Sequence, residues 1–182
     1  MSSLALPIAA RPARPLRRPA ADLSPAFRAA LAVGAGVVML PILLALARVL
    51  TGAAPGAAAF REVALSIHLA TVIPAIPLGA FVLVKRKGSP RHRLLGKVWL
   101  VLMIVAATSA LWIRHLNNGS LSPIHLLVPV VLFGSWRAVT TARRGDIRAH
   151  RRVLVLIFVG ALLIPAVTAF VPGRLMWVWL TA

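Results

Sequence analysis

Five apolar runs, each long enough to cross a bilayer, constrain this chain more than any other feature; they lie at about residues 29–50, 63–84, 94–113, 124–142 and 153–171. The first gives about 33 Å of helix against a hydrocarbon core of roughly 30 Å. Hydrocarbon offers no water to backbone N–H and C=O groups, so runs of this kind must form helices. The expected fold is all-α, a polytopic membrane helix bundle with five transmembrane helices. Composition agrees: 60% of the 182 residues are hydrophobic, where a soluble domain carries about 45 to 50%.

The sparse charges orient the bundle. Lys and Arg number 21 against three acids, Asp22, Glu62 and Asp146, for a net charge of +18. Such a balance ordinarily suggests nucleic acid, but these cations flank apolar runs and lack the aromatic interleaving of a base-stacking surface. The positive-inside rule explains them instead, so the partner is the lipid bilayer and not nucleic acid. Residues 1–28 mix five arginines with five prolines, a composition for a disordered basic arm. This arm and the segments 85–97 and 137–152 are rich in cations, whereas 51–62, 114–122 and the carboxyl tail carry single arginines. Alternating five spans puts the rich segments on one side, which implies a cytoplasmic-membrane protein with its amino terminus inside. Small residues at 51–59 resemble a signal-peptide cleavage region, but the preceding run exceeds the usual 7 to 15 apolar residues, so the first span is expected to be retained. Absence of cysteine excludes disulfides, thiolate chemistry and sulfur-ligated metals.

The central four spans read as two helix-pair repeats. Ile67-His68-Leu69, an apolar stretch and a basic segment with His92 are matched by Ile124-His125-Leu126, an apolar stretch and a basic segment with His150. The histidine spacings are 24 and 25 residues. His68 and His125 then fall near the outer starts of spans two and four, and His92 and His150 at the inner starts of spans three and five. Rotation about an axis along the membrane normal would pair span two with four and three with five. Thr71, Ala75 and Gly79 follow His68 on one small helical face that can admit a neighbouring helix or a flat macrocycle. After His125 the same offsets bring Val128, Leu132 and Trp136. Trp99 and Trp112 are spaced to reach the two interfacial belts. Pro74 and Pro77 kink span two and free carbonyls that need partners. Pro165 interrupts span five, and the tail 175–180 is too short to cross and is expected in the interface.

Each histidine also has a plain explanation. His68 can be satisfied by a backbone carbonyl, His125 is a first-turn residue after Pro123, and His92 and His150 can meet lipid phosphate among arginines. His115 has no counterpart and reads as a loop residue.

The segments Pro90-Arg91-His92-Arg93-Leu94-Leu95-Gly96-Lys97-Val98-Trp99 and Arg144-Gly145-Asp146-Ile147-Arg148-Ala149-His150-Arg151 resemble the two hallmark turns of a large uncharacterised family of bacterial multi-pass membrane proteins, a domain of unknown function. That resemblance covers about residues 64 to 170 and implies a membrane location without an activity. More distantly, the paired histidines are similar to those of two-haem b-type transmembrane cytochromes reduced by ascorbate, which have six spans. That similarity implies two b haems, with His68 and His125 ligating the outer iron and His92 and His150 the inner. It also implies a small-molecule or protein electron donor, with Arg91, Arg93, Arg151 and Arg152 near propionates or an anionic donor. A histidine-metal hydrolase fits poorly, because no Asp or Glu lies within a span to serve as base and Asp146 belongs to a tight Gly-Asp turn. A cofactor-free small transporter or membrane-complex assembly subunit is the alternative function, supported by the repeats and the proline-broken spans.

Overall fold

Ser24 and Pro25 begin the ordered bundle of this computed structural model, which describes residues 23–85, 88–114 and 120–182. The Ser24 hydroxyl accepts the Phe27 N–H at 3.2 Å and Pro25 occupies the first turn, where a missing N–H costs nothing. Helix α1 (Pro25–Leu50) therefore starts inside the segment read as a basic arm; most of that arm, residues 1–22, and His115 lie outside the described residues. Next come α2 (Val63–Val84) and α3 (Pro90–Ala110). Helix α4 (Leu127–Arg143) is entered through a 3-10 turn, Pro123–Leu126. Helix α5 (Ile147–Thr168) contains a π segment at Ile157–Leu163, and α6 (Leu175–Thr181) closes the chain. Five of these helical stretches are long and apolar enough to span a membrane. The protein is an integral, multi-pass membrane protein.

Capping explains why the basic segments turned out to be helix starts. Ser89 caps α3, accepting the His92 N–H at 3.1 Å, with Pro90 behind it. Asp146 caps α5, accepting the Ala149 N–H at 3.0 Å, and Gly145 supplies the left-handed backbone, φ 74°, that ends the preceding turn. Helices α3 and α5 thus begin at Pro90 and Ile147, four and six residues before the apolar runs at 94 and 153. Asp146 has a structural task.

Burial, and not polarity, separates the two faces of α1. Leu31, Ala35, Val38, Ile42, Ala45 and Val49 are buried, while Val33, Val37, Leu40 and Leu44 on the other face are exposed. An apolar stripe facing outward over about three turns belongs in hydrocarbon. The helix packs on α2, on the π segment of α5 and, at its far end, on α6. Helix α2 packs chiefly on α3, α3 meets α4, and α4 packs on α5.

Trp99 differs from the interfacial placement expected of it. It is only 1% exposed, and its indole Nε1–H donates to the Ala75 carbonyl at 3.0 Å. Its ring lies 6.3 Å from that of Phe158 in the π segment, tilted by 52°. The small face of α2 is what makes room: a Cβ on Gly79 would come within 2.5 Å of Trp99 Nε1 and 2.7 Å of Phe158. That face admits neighbouring helices, and its Ala75–Gly79 portion is filled by two aromatic side chains. Trp112, by contrast, is exposed.

A second small face, on α4, escaped the offset count from His125. Gly134, Ser135 and Ala138 are buried, and Ile157 of α5 lies 2.8 Å from where a Gly134 Cβ would be. Because His125 sits in the 3-10 turn, offsets of a 3.6-residue helix taken from it point to the exposed Leu132 and Trp136 instead. The carboxyl tail is likewise half sequestered. Trp179 of α6 is fully buried, 5.4 Å from Phe60, while Arg48 Nε donates to the Trp179 carbonyl at 3.2 Å and Nη2 to the Ala53 and Ala182 carbonyls. Arg48 closes the end of α6.

Gly79→Ala should therefore cost about 1 to 3 kcal/mol by overpacking, seen as a lower unfolding temperature in detergent. Gly36→Ala, with nothing within 4 Å of the added carbon, should be neutral or slightly stabilising.

Candidate functional site

Helices α2, α3, α4 and α5 leave a cavity of about 830 Å³ between them, completed by α6. This lies within the range of small-molecule sites, roughly 300 to 1,000 Å³. Apolar side chains such as Ile73, Met103, Val131 and Leu162 make most of its wall. The polar exceptions are Glu62, His68, His125, Thr168 and Arg174. Thr168 is engaged with its own helix, donating to the Pro165 carbonyl at 3.0 Å. Glu62 and Arg174, of opposite charge, leave the wall without net charge.

The π segment contributes to this geometry. Pro165 has no N–H to return to the preceding turn, and the ladder widens just before it. Ala161, Leu162 and Pro165 from this irregular stretch all line the cavity. Pro165 bends the hydrogen-bond pattern without ending the span.

His68 reaches the cavity wall from the second turn of α2. Its Nδ1 lies 2.8 Å from the Ala106 carbonyl of α3, with the Ser109 hydroxyl at 3.5 Å. A carbonyl only accepts, so Nδ1 carries the proton and Nε2 keeps a lone pair. This is the pattern of metal-bound imidazoles, in which the other ring nitrogen is held by a carbonyl.

His125 folds back on its own turn. Its Nδ1 lies 2.9 Å from the Ser122 backbone nitrogen, 3.1 Å from the Ser122 hydroxyl and 3.0 Å from the Ser122 carbonyl oxygen. Its Nε2 is buried and has no hydrogen-bond partner, on a residue only 7% exposed. Ser135 Oγ and Trp179 Nε1 are also buried without partners, but neither residue lines the cavity.

The histidines expected as an inner pair lie elsewhere. His92 and His150, in the first turns of α3 and α5, do not line the cavity. His150 Nδ1–H donates to the Ala138 carbonyl of α4 at 2.8 Å and so ties α5 to α4, as His68 ties α2 to α3. Only His68 and His125 are thus brought to one cavity. Among the described residues no group of three or more His, Asp or Glu is placed to hold a metal ion. Haem iron needs a lone pair from each axial imidazole. His68 offers one at Nε2, whereas His125 holds Nδ1 against Ser122 and has Nε2 buried.

Residues 65–180 match the sequence profile of the family described as "Predicted membrane protein (DUF2306)". The chain belongs to the DUF2306 family. This is a domain of unknown function, and the matched region carries both basic helix starts, all four paired histidines and nearly all of the cavity wall. No curated protein and no solved structure matches the chain. The sequence reasoning found both cavity histidines of this DUF2306 protein. It missed that α6 forms part of the wall through Leu175, Met176 and Val178, since a short tail gives no signal of where it folds back.

Ring-nitrogen NMR on ¹⁵N-histidine-labelled protein should find His68 protonated at Nδ1. A neutral His68 protonated at Nε2 instead would contradict this hydrogen-bond assignment.

Proposed function

We propose that this membrane protein binds an apolar ligand drawn from the bilayer in the α2–α5 cavity. The observation that carries this reading is the cavity itself, about 830 Å³ between the spans, with a mostly apolar wall and a few polar groups that include His68. His68, whose Nδ1–H is held by the Ala106 carbonyl, keeps a lone pair at Nε2 for a donor on the ligand. Such a protein carries, presents or senses a lipid-soluble compound, which joins the transporter or assembly-subunit class to a defined site. Lipid extraction and mass spectrometry of the purified protein test it. Wild type should release a neutral lipid near one equivalent, and Ala107→Phe, which fills the space, should release little. Equal recovery from both proteins would remove the reading.

The two-haem electron carrier is a second reading, favoured by the His68 Nδ1–H bond to Ala106, which orients the imidazole as in a haem ligand. It needs the buried Nε2 of His125 brought to the outer iron, and His92 with His150 at the inner one. A solubilised protein with the reduced-minus-oxidised absorption of low-spin b haem would establish it. Colourless protein that binds no added haem would end it. For orientation, the cation count supports an inside amino terminus in the cytoplasmic membrane. A reporter fused after Ser120 should then appear outside and one after Gly145 inside; the reverse would overturn the charge argument.

A further inference from the structure

Helix α6 closes one end of the cavity but is fastened to a helix that barely borders it. We propose that α6 is a lid, latched to α1 by Arg48, whose opening admits and releases the lipid bound in the cavity. This rests on the cavity's being a ligand site and adds the control of access to it. Leu175, Met176 and Val178 of α6 line the cavity beside Ala58 and Ala59 of the Ala57–Arg61 turn, so displacing α6 uncovers the space. The helix packs chiefly on α1, which contributes Ile42 to the wall, and is tied to it by the bonds from Arg48 to the Trp179 and Ala182 carbonyls. The chain enters α6 through Pro172-Gly173, where Gly173 takes a left-handed φ of 85° and lets the helix turn without unwinding α5. Closure also leaves a defect. The Trp179 indole is buried against Phe60 with its Nε1–H unpartnered, which lowers the cost of moving it. Because Leu175–Thr181 carries no charge and leaves Trp177 and Val178 partly exposed, the open lid can stay in the membrane interface.

The chain has no cysteine, so a single introduced thiol reports on one position. In phosphatidylcholine nanodiscs, Met176→Cys on the lid and Met103→Cys in the α3 part of the wall are treated with N-ethylmaleimide and followed by intact-protein mass. Leu83→Cys, as buried as Met103 but away from the cavity, is the control. Losing hydrogen bonds from a charged donor shifts an opening equilibrium roughly 10- to 100-fold. Adding Arg48→Ala should speed modification of Met176→Cys and Met103→Cys by that factor and leave Leu83→Cys at its own rate. Gly56→Ala, whose added carbon would run into the Trp179 indole, unseats the lid from the other side and should act in the same direction. The test therefore stands if Arg48→Ala does not fold. Unchanged rates at Met176→Cys would make α6 a fixed wall, and equal acceleration of Leu83→Cys would show Arg48 holding the whole bundle. Acceleration of Met176→Cys without Met103→Cys would show an opening that does not reach the cavity. Each of these three results overturns the lid. The rates need no bound lipid, so a lipid-free wild type would remove the ligand site by a separate measurement.

Discussion

Inside a bilayer a polar group has only the protein or a bound molecule to bond with, and this requirement organises the bundle. Backbone demands are met by helices. Side-chain donors are met by carbonyls on neighbouring helices: Trp99 to Ala75, His68 to Ala106, His150 to Ala138, and Arg48 to the end of α6. Each bond joins two helices that apolar packing alone would hold with little specificity, since lipid tails are as apolar as leucine. Helix order in this bundle is set by polar ties between tightly fitted small faces.

The same requirement makes the cavity stand out. His68 lies in its wall with a lone pair left at Nε2, and an ionisable residue within a span is seldom idle. The space between four helices is large enough for a chain with a headgroup. The irregular ladder before Pro165 shapes that wall, in keeping with the tendency of π segments to occur at functional positions.

Much of this was legible in the residues. Five long apolar runs define the spans, whereas the Ser-Pro and Gly-Asp pairs that start α3 and α5 read as turns. The matched histidines led to the cavity because an ionisable residue within a span is seldom idle. What the sequence hid was direction. Trp99 reads as an interfacial residue by spacing alone, but Gly79 opposite it opens a slot for the indole. His125 lies in a 3-10 turn, so its helical phase misled the search for the small face at Gly134 and Ala138. The two cavity histidines look equivalent as letters, whereas His68 is held by the Ala106 carbonyl of another helix and His125 by Ser122 of its own turn. Contacts between distant segments decide these points, and local periodicity does not carry them.

An experimental density map of the protein in lipid nanodiscs, fine enough to place side chains, tests the central claim most directly. The account predicts non-protein density filling the α2–α5 cavity beside His68. A collapsed cavity, or an open one without such density, would contradict it.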